Sequence, residues 1–239
     1  RSSVLNLARD YSTTLFNSTP EMILQGQDIP IHLGSFMPAM KAVADFFGDD
    51  IHEGDLILHN DPAYQGSHIV DMCMYRPVFY KEKHVFWTAC KGHLTDAGGP
   101  VPASYNPEAT EIFAEGLRIP PIKLWDKGKP RDDILNMVLT NMRARRNQEG
   151  DFRALIGSCQ VGERNLINML DKYGFDEVSL CIDELLSMAD RHMRSLIKEI
   201  PDGSYSGTAI LEDAGHGLGD MEITANLTIK DDACDIGII

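Results

Sequence analysis

The apolar positions of this chain change period several times, and each change predicts a different element. Residues 35–47 (SFMPAMKAVADFF) carry helical spacing and stop at Gly48, a residue suited to the turn that closes a helix. Residues 55–60 (DLILHN) predict a short buried strand that runs into the polar loop 61–67. Two β-rich runs follow at roughly 70–80 and 84–94 with Lys81, Glu82 and Lys83 between them, and so short a polar connector predicts an antiparallel hairpin. Asn106 followed by Pro107 is a good start for a helix running to Glu115 and closed by Gly116. A further helix is expected over 132–142, and two long ones over about 148–173 and 176–199. In those two, Phe152, Leu155, Ile156 and Cys159, then Leu185, Ala189, Met193 and Leu196, recur at helical spacing. Beyond Pro201-Asp202-Gly203 the pattern returns to strands, with the Gly-rich stretch 215–219 between them.

This order predicts an α+β fold: mixed β-sheets, an antiparallel hairpin and a helical middle segment. The expected division is 1–130 for the hairpin region, 131–200 for the helices and 201–239 for the start of a β-rich region. The chain opens on an apolar helical pattern (Val4, Leu5, Ala8) without an initiator Met. It stops in the strand-like run 234–239, so an N-terminal fragment of a longer subunit is expected. At 239 residues the chain has length for one large domain or two small ones. No apolar run reaches the length that spans a bilayer. A net charge of −14 argues against nucleic acid as a partner, since phosphates must be neutralised by Lys and Arg. Five cysteines with no paired spacing suit reduced thiols and a cytoplasmic setting.

Candidate chemistry gathers on the hairpin. His68-x-x-Asp71 is followed by Lys91-Gly92-His93 and by Asp96-Ala97-Gly98-Gly99. A turn centred on Glu82 pairs Asp71 with His93, and cross-strand partners share a face. His68, just before the first strand, folds back over the same end. Two imidazoles and a carboxylate on one point suit a divalent metal with positions left open. Asp96 and Asp61 are candidate hydrogen-bond partners for the ligand histidines. A single His at a strand end is usually an ordinary polar residue, and a one-residue slip would turn His93 away, so the reading rests on the register. Lys91 shares the face of Asp71 and His93 in that register, where it is either a catalytic cation or a solvated lysine. Cys73 and Cys90 lie within apolar strands and read as packing residues. No G-x-x-x-x-G-K-[ST] loop is present, so ATP binding by this chain is not supported.

Six blocks in order resemble the hydantoinase B family: Arg9-Asp10-Tyr11-Ser12, Ile29 to Ser35 (IPIHLGS), Asn60-Asp61-Pro62, Gly66-Ser67-His68-x-x-Asp71, Gly92-His93-x-x-Asp96-x-Gly98-Gly99 and Glu115 to Pro121 (EGLRIPP). The helical part, with Val161-Gly162-Glu163-Arg164, is also similar. The resemblance implies a Zn or Mn site at His68, Asp71 and His93 with Asp10 as fourth ligand, and places His32 in the pocket. It implies a hetero-oligomer with a hydantoinase A-type subunit that handles ATP and phosphorylates the substrate oxygen. Lys91-Gly92-His93 and Tyr105-Asn106-Pro107-Glu108-Ala109 look more like the acetone and acetophenone carboxylase branch. The leading expectation is therefore a ketone carboxylase using bicarbonate, with Lys91 supplying charge for an enolate or phosphate. The alternative is ATP-dependent opening of a cyclic amide with Asp61 or Asp96 as general base. A structural subunit with a structural metal is the third.

Overall fold

Two helices and a hairpin account for how the site is positioned. A computed structural model describes residues 2–27 and 29–239. The chain forms two compact units that meet at Gly174 and Phe175. The first contains β1 (Tyr11–Asn17), β2 (Met22–Gln25), α1 (Ile31–Phe47), β3 (Leu56–His59), β4 (Asp71–Tyr80), β5 (Lys83–His93), β6 (Ile122–Asp126), β7 (Lys129–Pro130), α2 (Asp132–Thr140) and α3 (Arg145–Tyr173). The second contains α4 (Phe175–Ile197) and the antiparallel strands β8 (Gly203–Leu211), β9 (Met221–Lys230) and β10 (Ala233–Ile238), in the order β10-β9-β8. The helical stretch expected over 131–200 is thus divided between the two units. Among the described residues no helix is long and apolar enough to cross a membrane.

The large sheet of the first unit runs β2-β1-β5-β4-β3-β6-β7, antiparallel at every recorded pairing. Both faces are covered, which is why β4 and β5 read as nearly continuous apolar runs. Phe36, Ala39, Met40 and Val43 of α1 pack on Phe16, Ile57, Tyr75 and Trp87. On the opposite face Phe152, Leu155 and Cys159 of α3 pack on Met72, Met74 and Cys90. The helix predicted from residue 35 begins one turn earlier, at Ile31, with Pro30 at its cap. That extra turn carries His32 to the sheet.

The hairpin turn and its register have different origins. Lys81 (φ 49°) and Glu82 (φ 66°) form a two-residue turn in the left-handed region, so Tyr80 pairs with Lys83 and Phe79 with His84. Continued unchanged, that register would set Asp71 opposite Gly92. A bulge beside Val78 shifts it by one residue, so Val78 pairs with Phe86 and Asp71 with His93.

The helix expected over 107–115 does not form. Asn106 caps the Glu108 amide as anticipated, but Glu111 is extended (φ −146°, ψ 148°), and only the short turns Pro102–Ser104 and Ile112–Ala114 are helical. The segment offers no apolar stripe long enough to stabilise a longer helix.

The motif glycines allow close approach. A Cβ on Gly92 would press against Leu155 (3.0 Å) and Leu5 (3.2 Å) on the α3 face. A Cβ on Gly66 would overlap the Asn60 carbonyl. Asn60 itself is buried and clamps two loops, donating to the carbonyls of Ile69 (2.6 Å) and Leu117 (2.9 Å) and accepting from the Ile119 amide (2.7 Å). Gly66→Ala should therefore destabilise the protein by about 1–3 kcal/mol, the usual cost of overpacking. Urea denaturation checks this, and an unchanged midpoint would show that the loop yields freely.

Candidate metal centre

Strand alternation sorts the α1 face of the sheet into rows. Asp71 pairs with His93, and the His93 amide donates to the Asp10 carbonyl (3.0 Å), so Asp10, His93 and Asp71 form the outermost row. Ser12, Lys91, Cys73 and His59 form the next row, followed by Thr14, Ala89, Tyr75 and Ile57. The face passes from ionisable to apolar over three rows. His68 lies in the turn that leads into β4, with its backbone carbonyl accepting from the Asp71 amide (3.0 Å).

The side chains converge. His93 Nδ1 lies 3.2 Å from Asp71 Oδ1 and 4.0 Å from Asp10 Oδ2, and His68 Nδ1 lies 3.3 Å from Asp71 Oδ2. His32 Nε2 lies 3.5 Å from Asp10 Oδ1 and 3.7 Å from Asp71 Oδ2. One donor atom from each of His68, Asp71 and His93 lies within 4.8 Å of the other two. Donors bound at 2.0–2.2 Å to one cation sit about 3.0–3.5 Å apart, so these spacings fit a shared divalent ion. Nitrogen and carboxylate donors suit Zn and Mn alike.

Electrostatics follow from the geometry. Burial alone would raise the Asp71 pKa, but hydrogen bonds from His93 and Ser67 bring it below the usual carboxylate value. The same Asp71 bond raises His93, against the effect of burial. Burial lowers His32, outweighing the pull of Asp71 in the other direction. Burial also holds His59, one row below, neutral with a pKa of about 4.

Lys91 is not solvated. Its side chain is fully buried, donates to Ser35 Oγ and to Ser67 Oγ (3.2 Å), and lies 5.2 Å from the Phe36 ring centre. Ser67 in turn donates to Asp71 Oδ2 (2.6 Å). The ammonium charge therefore reaches Asp71 through one hydroxyl.

The two other carboxylates are occupied elsewhere. Asp96 accepts from the amides of Gly98 (2.9 Å), Ala103 (3.1 Å) and Arg143 (2.9 Å) and pairs with the Arg143 guanidinium (2.9 Å). Asp61 holds Arg118 through both oxygens (3.0 and 2.9 Å) and caps the Ala63 amide (3.0 Å). Neither makes the expected hydrogen bond to a cluster histidine; each braces a loop.

Beside the cluster opens a cavity of about 340 Å³. His68 and His93 border it, and Ile69, Val70, Tyr105, Pro107 and Glu115 are among the other residues that line it. The pattern along the sequence did not single out Glu115, Ser12, Ser35 or Ser67. The three serines stand inside the motif blocks, so their place beside the motif histidines was the available signal.

A sheet that gathers imidazoles and carboxylates at the mouth of a cleft defines a scaffold suited to a divalent cation. The model of the hydantoinase B/oxoprolinase family matches residues 1–237, and the chain belongs to that family. It is 68% identical over 236 residues to the caprolactamase subunit beta of Pseudomonas jessenii, covering 99% of this chain and 41% of that protein. It is 32% identical over 167 residues to the acetophenone carboxylase delta subunit of Aromatoleum aromaticum, covering 70% of this chain and 24% of that one. The crystal structure of the ATP-dependent caprolactamase from Pseudomonas jessenii superposes with a TM-score of 0.95 over the whole chain and 41% of its own. A nucleotide-free acetone carboxylase shares the fold, with a TM-score of 0.87 at 20% identity over 98% of this chain and 33% of that one. The chain thus spans less than half the length of these relatives.

Asp96→Ala should act on stability. It leaves Arg143 and three amides without their acceptor, at a cost of about 1–3 kcal/mol. A denaturation midpoint equal to the parent's would return Asp96 to the list of free carboxylates.

Proposed function

We propose that this chain is the metal-holding part of a subunit of an ATP-dependent enzyme that opens a cyclic amide. The observation that carries the reading is 68% identity to a caprolactamase subunit along the whole chain, with the His68, Asp71 and His93 cluster on a cleft. The ketone carboxylase reading drawn from Lys91-Gly92-His93 has weaker support. The acetophenone carboxylase relative is 32% identical over part of the chain, and acetone carboxylase is similar in fold alone. A metal that only staples the fold is disfavoured by the half-exposed His68 and the cavity beside it. As the family resemblance implies, a hydantoinase A-type partner subunit handles ATP and activates the amide oxygen.

Asp10, His68, Asp71 and His93 would hold the cation, Zn or Mn, which would supply Lewis acidity toward the amide oxygen and water. The residues of this chain do the rest. Asp71, held by hydrogen bonds from His93 and Ser67 that bring its pKa down against the effect of burial, stays ionised. Pro107 with Ile69 and Val70 offers apolar surface to ring methylenes. Glu115 has no hydrogen bond or ion pair from its carboxylate among the described residues, and it accepts the amide N–H or the proton that water gives up. Hydrolysis breaks the ring C–N bond, delivers hydroxyl from one water to the carbonyl carbon and a proton to the nitrogen, and a second water releases the phosphoryl group that ATP gave to the oxygen as inorganic phosphate.

In the assembled enzyme, ATP hydrolysis should be stimulated by ε-caprolactam or a related small lactam. Stimulation by bicarbonate plus a ketone, with none by lactams, would replace this reading by the carboxylase.

Elemental analysis should find about one divalent ion per chain, and His93→Ala should assemble but lose it, with amide opening falling to background. Protons compete with the cation for His93, whose pKa lies above the ordinary 6.5. Apparent affinity, measured by chelator competition, should therefore begin to fall above pH 6.5 as the pH is lowered. A metal-free His93→Ala complex with full activity would defeat the catalytic role.

A further inference from the structure

Alternation along the three strands of the second unit sorts apolar from polar residues. Tyr205, Leu227 and Ile236 stand opposite one another in one row, and Leu211 with Met221 and Ala209 with Ile223 stand in others on the same face. Cys234, two residues from Ile236, shares that face. The other face carries Ser204, Thr228 and Asp235 in one row and Ser206 with Asn226 in the next. Strands patterned in this way bury the apolar face against another layer.

The helix of the same unit does not supply that layer. α4 reaches the turn between β9 and β10, where Lys198 pairs with Asp231 (3.0 Å) and Arg194 with Asp232 (3.5 Å). Next to that turn, Ile229 is the one buried residue among the described residues of the sheet. Ile236 and Ile238 are 65% and 72% exposed, and Tyr205, Leu211, Met221 and Ile223 are exposed as well. The strands hold 9, 10 and 6 residues. At a rise of about 3.4 Å and a strand spacing of about 4.8 Å they make a face on the order of 400 Å². Soluble proteins seldom leave so large an apolar patch in water unless something docks there.

Composition narrows the occupant. No charged side chain lies on this face in any of the three strands. Exchangeable interfaces are about as polar as the rest of a protein surface, whereas permanent ones resemble the core of a domain. A source for a permanent second layer is at hand, since this chain spans less than half the length of its relatives. We propose that the apolar face of β8, β9 and β10 is the inner face of a two-layer domain, and that the other layer comes from the same subunit, outside this 239-residue stretch. It is therefore not a docking face for the ATP-handling subunit or for a second copy. This inference does not depend on the metal reading.

The test uses the full-length subunit in its assembled enzyme. Tyr205→p-benzoylphenylalanine places a photoreactive aromatic ring where an aromatic ring already stands. Irradiation should join it to a residue of its own subunit outside this stretch, located by tandem mass spectrometry, with no heavier band on a denaturing gel. A cross-link to the ATP-handling subunit, to a second copy or to the first unit, or none at all, would overturn the proposal. If that variant fails to assemble, Ile236→p-benzoylphenylalanine carries the same group in the same row. Cys234 gives a reading with no substitution. Its side chain is exposed on the sheet, and the added layer should shield it from iodoacetamide in the folded enzyme and release it on unfolding. Rapid alkylation of Cys234 in the folded enzyme would count equally against the second layer.

Discussion

The pairing of Asp71 with His93 is the constraint on which the site depends, and one residue maintains it. The two-residue turn at Lys81 and Glu82 sets a register one step out of phase, and the bulge near Val78 corrects it before the strands reach the polar end. Side chains in a strand alternate, so without that correction Gly92 would stand opposite Asp71 and His93 would face α3. Buried packing on both faces keeps the correction in place. Phe86 and Trp87 follow the bulge immediately, and both are buried, so a slip would exchange apolar and polar residues along the entire hairpin.

Beyond the register, the α1 face of the sheet is graded. Its inner rows hold Phe16, Tyr75 and Trp87 under Phe36 and Met40, a dry core that fixes where α1 lies. Its outer rows hold ionisable groups linked through serines: Lys91, Ser67 and Asp71 in one chain of hydrogen bonds, and His32, Ser12 and the Ile29 carbonyl in another. A buried ammonium without a carboxylate in contact is costly. Here its hydrogen bonds to Ser35 and Ser67 and the Phe36 ring provide partial compensation. The apolar core thus fixes the position of the helix and strands that carry the polar rows.

Much of this was legible in the residues. The β-rich runs and short connector located the hairpin, and helical spacing located α3 and α4. The turn position was read as Glu82, half a residue from its actual centre, and the bulge is why the pairing of Asp71 with His93 nevertheless holds. Other features were not local. Asp96 and Asp61 stand in motif blocks beside histidines, yet each is claimed by an arginine 47 or 57 residues away, Arg143 or Arg118. Lys91 looks solvated or catalytic because burial under α1 is decided by the helix starting at Ile31, which Gly34 and Pro38 disguise. The Asn106-Pro107 signal does start a turn, but nothing downstream sustains a helix.

The two sides of the cleft are built differently. His93 and Asp71 stand on paired strands and His32 on a helix, whereas the facing wall around Tyr105, Asn106 and Pro107 is irregular chain, with Ala103 (φ 67°) and Ser104 (φ 57°) in left-handed backbone. Irregular surface segments accept insertion and replacement far more readily than a sheet closed on both faces. Sequence change is therefore absorbed more readily by the wall around Tyr105, Asn106 and Pro107 than by the paired strands that carry Asp71 and His93.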